Sequence, residues 1–341
     1  MTTLTAAVIG CGSIGSSMQD NPGAKRRGIC THASAYQSHD STELIALCDT
    51  NPNNLSQALD RWGGHIRGYS DVALMLQECQ PDLVSVATHV DSHFEITQCC
   101  LLTPSVKAIL LEKPISNDLN EAYALRDLAE QNGKILTINY SRRFPKIFQQ
   151  LASDFTQKRW GDVVHISGFY TKGLIHNGTH WLDMFRMFFG EPDTAQGFAK
   201  LSDPDHTLKS GDAMISFAMS SSQTPSVDVR AFPVSAHTIF DMDILLTKGR
   251  VRIIDQSDTI EIYQVKENHP FVGYQALDLI ETHQNCLKHF VAHGIDDLVQ
   301  SVITNTPSSS PIDSAIRNLE LARGMIDTLG SVEICVDEKT F

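Results

Sequence analysis

The sequence predicts two domains of different class. Residues 1–139 read as an α/β domain on a doubly wound parallel sheet, and 140–341 as an α+β domain with a large, mostly antiparallel open sheet. Three observations carry this prediction. A glycine-rich hexamer, GCGSIG, directly follows the first apolar run. Short apolar runs alternate with helical patterns up to residue 140. Beyond it, strand patterns succeed one another with turns between them. A chain of 341 residues has room for two domains at the rough prior of ~150 residues each.

Taken in order, LTAAVIG (4–10), ELIALCD (43–49), LVSVAT (83–88), AILLEKP (108–114) and ILTINY (135–140) are apolar at successive positions, as strands covered on both faces are. Between them NNLSQALDRW, DVALMLQEC, HFEITQCCLL and LNEAYALRDLAEQNG carry apolar residues at helical spacing. The last opens on Asn117-Asp118 and stops at Gly133, sensible cap chemistry at both ends. After 140, strands are expected at 162–171, 193–202, 212–221, 226–233, 238–247 and 250–265, with Lys248-Gly249 as a hairpin turn. A helix over LIHNGTHWLDMFRMFFG separates the first two. Helices near 275–292 and 311–329 close the chain, the last able to pack back on the first domain.

Hydrophobic residues make up 42% of the chain and charged residues 20%, ordinary for a globular enzyme. A formal charge of −13 argues against nucleic acid or an anionic membrane as the main partner, but leaves room for a small anion at a local basic site. MTTLTAAVIG has neither a basic start nor a long apolar stretch, and no window approaches ~18 uninterrupted apolar residues, so neither a signal peptide nor a membrane span is expected. Cys11, Cys30, Cys48, Cys79, Cys99, Cys100, Cys286 and Cys335 form no CxxC pair and read as reduced core thiols of a cytoplasmic protein.

In the hexamer, Gly10, Gly12 and Gly15 stand at GxGxxG spacing around Ser13 and Ile14. The first glycine allows a tight turn, the second lets backbone approach a pyrophosphate, and the third lets helix pack closely on strand. The N–H groups at a helix start would then face the phosphates. Asp49 ends the second strand, where a carboxylate accepts from a ribose diol and repels a 2′-phosphate, favouring NAD over NADP. Its alternative is a turn cap for TNPNN. Gly15 and Asp49 lie 34 positions apart, against about 20 in the plain fingerprint. SSMQDNPGAKRRGIC therefore reads as an insertion. Its Lys25, Arg26 and Arg27 belong to a solvated loop or to a flap that meets a phosphate.

Three further motifs, ATHVDSHFEI, LEKPIS and GLIHNGTHWLDMFRMFFGEP, follow in order. With GCGSIG they resemble the glucose–fructose oxidoreductase, inositol dehydrogenase and MocA family, and the resemblance extends to the closing DSAIRNLELARGMIDTLGS. It implies an N-terminal Rossmann domain and a C-terminal domain whose open sheet often builds a homodimer or homotetramer. It also implies oxidation or reduction of a secondary alcohol on a sugar, cyclitol or nucleotide-sugar with NAD(P). In the family the EKP lysine lies beside nicotinamide and substrate, and the Lys–Pro bond tends to be cis. Here the motif is Glu112, Lys113 and Pro114.

Lys113 ends a parallel strand, where open α/β sheets place ligands, and its ammonium suits an oxygen gaining negative charge. The family's histidine followed three residues later by aspartate matches His180 and Asp183. His180 is the expected proton acceptor, since an imidazole titrates near neutrality. Asp183 orients that ring, binds substrate, or packs within its helix. Many relatives carry aspartate four residues before the histidine; this chain has His176, with Asn177 beside it. The HxxxH spacing lacks the glutamate of zinc proteases, so no metal is expected. Thr88, His89 and His93 would line the nicotinamide side, with helix capping and packing of His93 as the alternative. Arg142 and Arg143 would reach a substrate phosphate or carboxylate, or form structural ion pairs. The expected activity is NAD-dependent oxidation of a sugar hydroxyl. The alternatives are a non-catalytic dinucleotide-binding regulator and an NAD-using lyase or glycosidase.

Overall fold

The computed structural model describes residues 3–203, 208, 211–267 and 272–329; Cys335 lies outside them. Two compact units emerge, 1–145 with 287–317, and 146–286 with 318–341. The chain therefore changes unit three times, where the sequence led us to expect one boundary at 139/140.

In the first unit, six parallel strands form the sheet: β1 (Leu4–Ile9), β2 (Thr42–Cys48), β3 (Arg67–Tyr69), β4 (Leu83–Val86), β5 (Ala108–Leu111) and β6 (Ile135–Ile138). Their order is β3-β2-β1-β4-β5-β6, so the connections leave β1 and β4 in opposite directions and open a crevice at their carboxyl ends. Helices α1 (His32–Ser38), α2 (Pro52–Trp62), α3 (Val72–Cys79), α4 (His93–Leu102) and α5 (Leu119–Gln131) alternate with them. Asp118 caps α5 through the Asn120 N–H, as its position implied. The short β3 was not anticipated, since three residues carry no period. The returning α8 (Phe290–Thr304) sends Val291, Ile295, Leu298 and Val299 into the same core as Val8, Leu47 and Leu110.

The second unit holds eight strands: β7 (Val163–Thr171), β8 (Thr194–Leu201), β9 (Met214–Ser220), β10 (Val227–Phe232), β11 (Phe240–Leu246), β12 (Gly249–Ile254), β13 (Thr259–Lys266) and β14 (Ala276–Gln284). They run β14-β13-β12-β11-β7-β10-β9-β8, antiparallel except for β7 with β10. Leu246 pairs with Gly249, which leaves Thr247-Lys248 as the hairpin turn, one residue earlier than read. The run at 250–265 is two strands, parted where Asp255, Gln256 and Ser257 all adopt positive φ.

The helix expected near 275–292 is instead β14 and, after a break, α8. Leu277 and Leu279 flank Asp278 two positions apart, and the open edge of β13 pairs with the segment from Ala276 to Gln284. Asn285 and His289, at φ 57° and 60°, turn the chain before α8. Helix α6 (Lys146–Thr156) was also not anticipated, although Phe148, Leu151 and Phe155 stand at helical spacing and are buried. Helix α7 (Thr179–Phe189) lays Trp181 on the sheet where Gly168 leaves room: a Cβ there would come within 2.4 Å of the indole nitrogen. The closing α9 spans Ile312–Thr328. Among the described residues no helix is long and apolar enough to cross a membrane.

Candidate active site

A cavity of about 590 Å³ opens at the carboxyl ends of β1, β2 and β4. Gly10, Gly12, Ser13, Ile14, Asp49, Thr88 and His89 line it. Gly10 sits at φ +93°, and a Cβ there would lie 2.6 Å from the Ala87 carbonyl oxygen. A Cβ on Gly15 would lie 1.8 Å from the Gly10 carbonyl oxygen, so the third glycine permits the close packing behind the loop. At Gly12 a Cβ would meet no atom within 4 Å. That position gives onto the cavity, where a side chain would hold a phosphate off the backbone. The loop is therefore a cradle of the kind a dinucleotide requires.

The turn after the loop differs from expectation. In place of a regular α-helix, a single π turn runs over Ser13–Ser17, followed by 3₁₀ turns at Met18–Asp20 and Pro22–Arg27. The inserted segment explains this, since α1 begins only at His32, capped reciprocally by Thr31 and Ser34. The basic stretch is anchored: the Arg27 carbonyl accepts from the His289 N–H at 2.7 Å, and His289 Nδ1 accepts from the Ile29 N–H at 3.0 Å. Lys25 and Arg26 are exposed, and neither lines the cavity.

Asp49 takes the turn-cap role foreseen for it and also lines the cavity. Its carboxylate accepts from the Cys11 N–H at 2.8 Å and the Asn51 N–H at 2.7 Å, the second being the turn cap. Fixed this way, it still faces the cavity beside Asn51 and Asn54. No lysine or arginine occurs among the described lining residues. The nearby thiols are buried; burial, reinforced by the Asp49 charge, pushes both Cys11 and Cys48 up to about 12.

The EKP motif leaves β5 with a cis Lys113–Pro114 bond, as the resemblance implied. Glu112 turns inward and is not among the residues that line the cavity. Its Oε1 accepts from Asn139 Nδ2 at 2.5 Å and faces His32 Nε2 at 3.0 Å. Burial pushes the Glu112 carboxyl up, but hydrogen bonds from His32 and Asn139 and the charges of His32 and Lys113 outweigh it, leaving it below the ordinary glutamate value. His93 does not line the cavity either. Only 1% exposed, its ring bridges the Pro114 carbonyl at 2.8 Å and the Thr88 carbonyl at 3.1 Å, tying β4's tip to the EKP tip. Burial lowers its pKa, against the raising effect of those two acceptors.

In the second unit, Gly173 leads into a π turn over Leu174–Gly178, and α7 continues it. His176 thus lies on the turn and His180 on the helix. His180 is 8% exposed; Asn177 donates to the Thr171 carbonyl at 2.9 Å. Asp183 is 2% exposed and accepts from Asn318 Nδ2 at 2.8 Å, as the packing alternative read for it implies. Asp212, which the sequence reading missed, accepts from the N–H groups of Ile175 at 2.8 Å and His176 at 2.9 Å. A Cβ on Gly173 would lie 1.9 Å from this carboxylate, so glycine there and aspartate at 212 hold the turn together. Burial raises the Asp212 pKa above its ordinary value, against those backbone donors. Arg143, back in the first unit, donates to Ser314 Oγ at 2.6 Å, a structural contact at the start of α9, while Arg142 is buried.

Comparison with known proteins bears on the fold and on the nucleotide-binding half. Residues 4–140 match the model of an oxidoreductase family with an NAD-binding Rossmann fold, the glucose–fructose oxidoreductase, inositol dehydrogenase and MocA group. The chain is similar to that family over those residues. Among its relatives is the D-glucoside 3-dehydrogenase of Escherichia coli, 29% identical over 160 residues, 47% of this chain and 41% of that protein. The D-apiose dehydrogenase of Rhizobium rhizogenes is 25% identical over 279 residues, 74% of each. The chain thus spans less than half the length of the first curated relatives it matches. A solved UDP-N-acetylglucosamine 3-dehydrogenase from Acidithiobacillus ferrooxidans shares the fold at a TM-score of 0.70 and 19% identity, covering 95% of this chain and 97% of its own.

Proposed function

We propose that this protein is an NAD-dependent dehydrogenase that oxidises or reduces a secondary hydroxyl of a sugar, cyclitol or activated sugar. The observation that carries the reading is the glycine-cradled cavity at the strand ends, with the Lys113 tip leaving the same sheet edge. Gly10, Gly12, Ser13 and Ile14 would hold the pyrophosphate, Asp49 the adenosine ribose, and Thr88 and His89 the nicotinamide side. Bound there, NAD supplies a hydride acceptor. Asp49, with no cation among the described lining residues, would disfavour the 2′-phosphate of NADP.

In this reading His180 takes the proton from the substrate hydroxyl as the carbonyl forms. The Lys113 ammonium hydrogen-bonds the same oxygen and stabilises its partial negative charge. His176 stands where the family resemblance implies an aspartate, and its imidazole assists His180 or meets a substrate hydroxyl. Arg142 remains a candidate for a substrate anion. The 3-hydroxyl of a hexopyranoside is the first to try, because two of the similar proteins are named for dehydrogenation at that position. We further propose association through the open sheet, whose edge strand β14 exposes Leu277, Leu279 and Ile280.

The test is NADH formation, followed by absorbance, with methyl β-D-glucopyranoside, myo-inositol, D-apiose and UDP-N-acetylglucosamine, using Lys113→Ala as control. Turnover of one probe, lost in the variant, is the expected result. Equal rates in variant and wild type would remove Lys113 from the mechanism.

A further inference from the structure

Beneath the Lys113 tip lies a buried polar cluster that the proposed chemistry does not use. His32, in the first turn of α1, is 0% exposed. Its Nε2 faces Glu112 Oε1 at 3.0 Å and its Nδ1 faces Ser85 Oγ at 2.9 Å. Ser85 Oγ in turn contacts the buried Tyr36 hydroxyl at 3.1 Å. From the other side, Asn139 Nδ2 donates to the same Glu112 oxygen at 2.5 Å.

Two features of this cluster are not what fold stability alone would select. The Asn139 carbonyl oxygen is buried without a hydrogen-bond partner, so the site tolerates an orphaned acceptor in order to keep the amide on Glu112. A buried carboxylate–imidazole pair is also rarely better for stability than apolar side chains of the same size. What the cluster does is fix one carboxylate, and that carboxylate belongs to the residue before Lys113. Holding Glu112 from two sides holds the Glu112–Lys113 peptide, while His93 pins the carbonyl of Pro114, the residue after Lys113, at 2.8 Å. The backbone from which Lys113 projects is thus clamped on both flanks.

We infer that His32 is a positioning residue for Lys113, acting through Glu112. The inference rests on the dehydrogenase reading above, in which Lys113 meets the reacting oxygen. The inserted segment of the first crossover gains a purpose by it: the insertion delays α1 until His32 arrives under the EKP tip. His32 touches neither cofactor nor substrate in this account.

The experiment uses the full chain and whichever of the four probes is turned over fastest. His32→Leu removes the donor to Glu112; His32→Gln keeps an N–H at the reach of Nε2. We expect His32→Leu to lower kcat on the order of tenfold to a hundredfold, the scale of a misplaced reacting group. NADH affinity, measured by fluorescence, stays within about twofold of wild type, because the cradle is untouched, and His32→Gln recovers most of the loss. In a Lys113→Ala background His32→Leu then changes the single-turnover rate little. Should His32→Leu fail to fold, Glu112→Gln takes its place in the same comparison. An unchanged kcat in His32→Leu, no rescue by glutamine, or losses that multiply with Lys113→Ala would overturn the inference while leaving the dehydrogenase reading intact. Wild-type rates in Lys113→Ala, or no turnover of any probe by wild type, would instead sink that reading and this inference with it.

Discussion

Gly12 and Gly15 lie three residues apart in one loop, yet alanine should act on them through different physics. At Gly15 the new Cβ would sit 1.8 Å from the Gly10 carbonyl oxygen, a backbone atom that cannot rotate away. The loop must shift, at the upper end of the ~1–3 kcal/mol typical of overpacking. At ~2–4 °C per kcal/mol for a unit of this size, the melting temperature should fall by roughly 5–12 °C. At Gly12 the Cβ meets nothing within 4 Å, so folding should be unaffected, with melting within about 1 °C of wild type. The Gly12 methyl instead occupies the phosphate side of the cavity and lengthens one charge-assisted N–H to phosphate hydrogen bond. Such bonds are worth about 1.5–3 kcal/mol, so the Kd for NADH should rise roughly tenfold to a hundredfold. Differential scanning fluorimetry and NADH fluorescence titration separate the two variants. Wild-type NADH affinity in Gly12→Ala, or equal destabilisation by both substitutions, would refute the assignment of Gly12 to the phosphate site.

Three other consequences follow from single residues. Asp49→Ala should narrow the preference for NAD over NADP, read as the ratio of kcat/KM values, since the carboxylate that repels a 2′-phosphate is gone; an unchanged ratio would leave Asp49 only its turn-capping role. His93 is buried with its pKa held below 6.5, so the unfolded chain takes up that proton first and stability falls as pH drops through 6.5. The gap in melting temperature between wild type and His93→Asn should therefore shrink from pH 7.5 to 5.5, and a widening gap would mean the ring is charged in the fold. Asp212→Ala should cost about 1–2 kcal/mol in urea unfolding, as loss of a helix cap does, and lower kcat through His176; full activity would detach the turn from catalysis.

The sequence was most legible where a period or a spacing carries the information. Apolar runs alternating with helical patterns marked the parallel sheet, and GCGSIG marked its ligand end, because both are local. The stretch at 275–292 misled because Leu277, Leu279 and Ile280 fit two periods at once. Only the free edge of β13, ten or more residues upstream, decides for a strand. The candidate residues divide in the same way. Lys113, Asp49 and His180 announce themselves by motif. His32, Asn139 and Asp212 do not, because their partners stand 80, 27 and 36 or 37 positions away and no short pattern encodes such a meeting. Arg143 and Asp183 have long-range partners of the same kind, Ser314 and Asn318, that no short pattern announces.

The measurement that bears most directly on the central claim is a crystal structure of the chain with NAD and its best probe. The account predicts the Lys113 amine and the His180 imidazole both within hydrogen-bonding reach, about 2.6–3.2 Å, of the single substrate oxygen whose carbon faces the nicotinamide. A bound nicotinamide with either side chain turned away from that oxygen would contradict it.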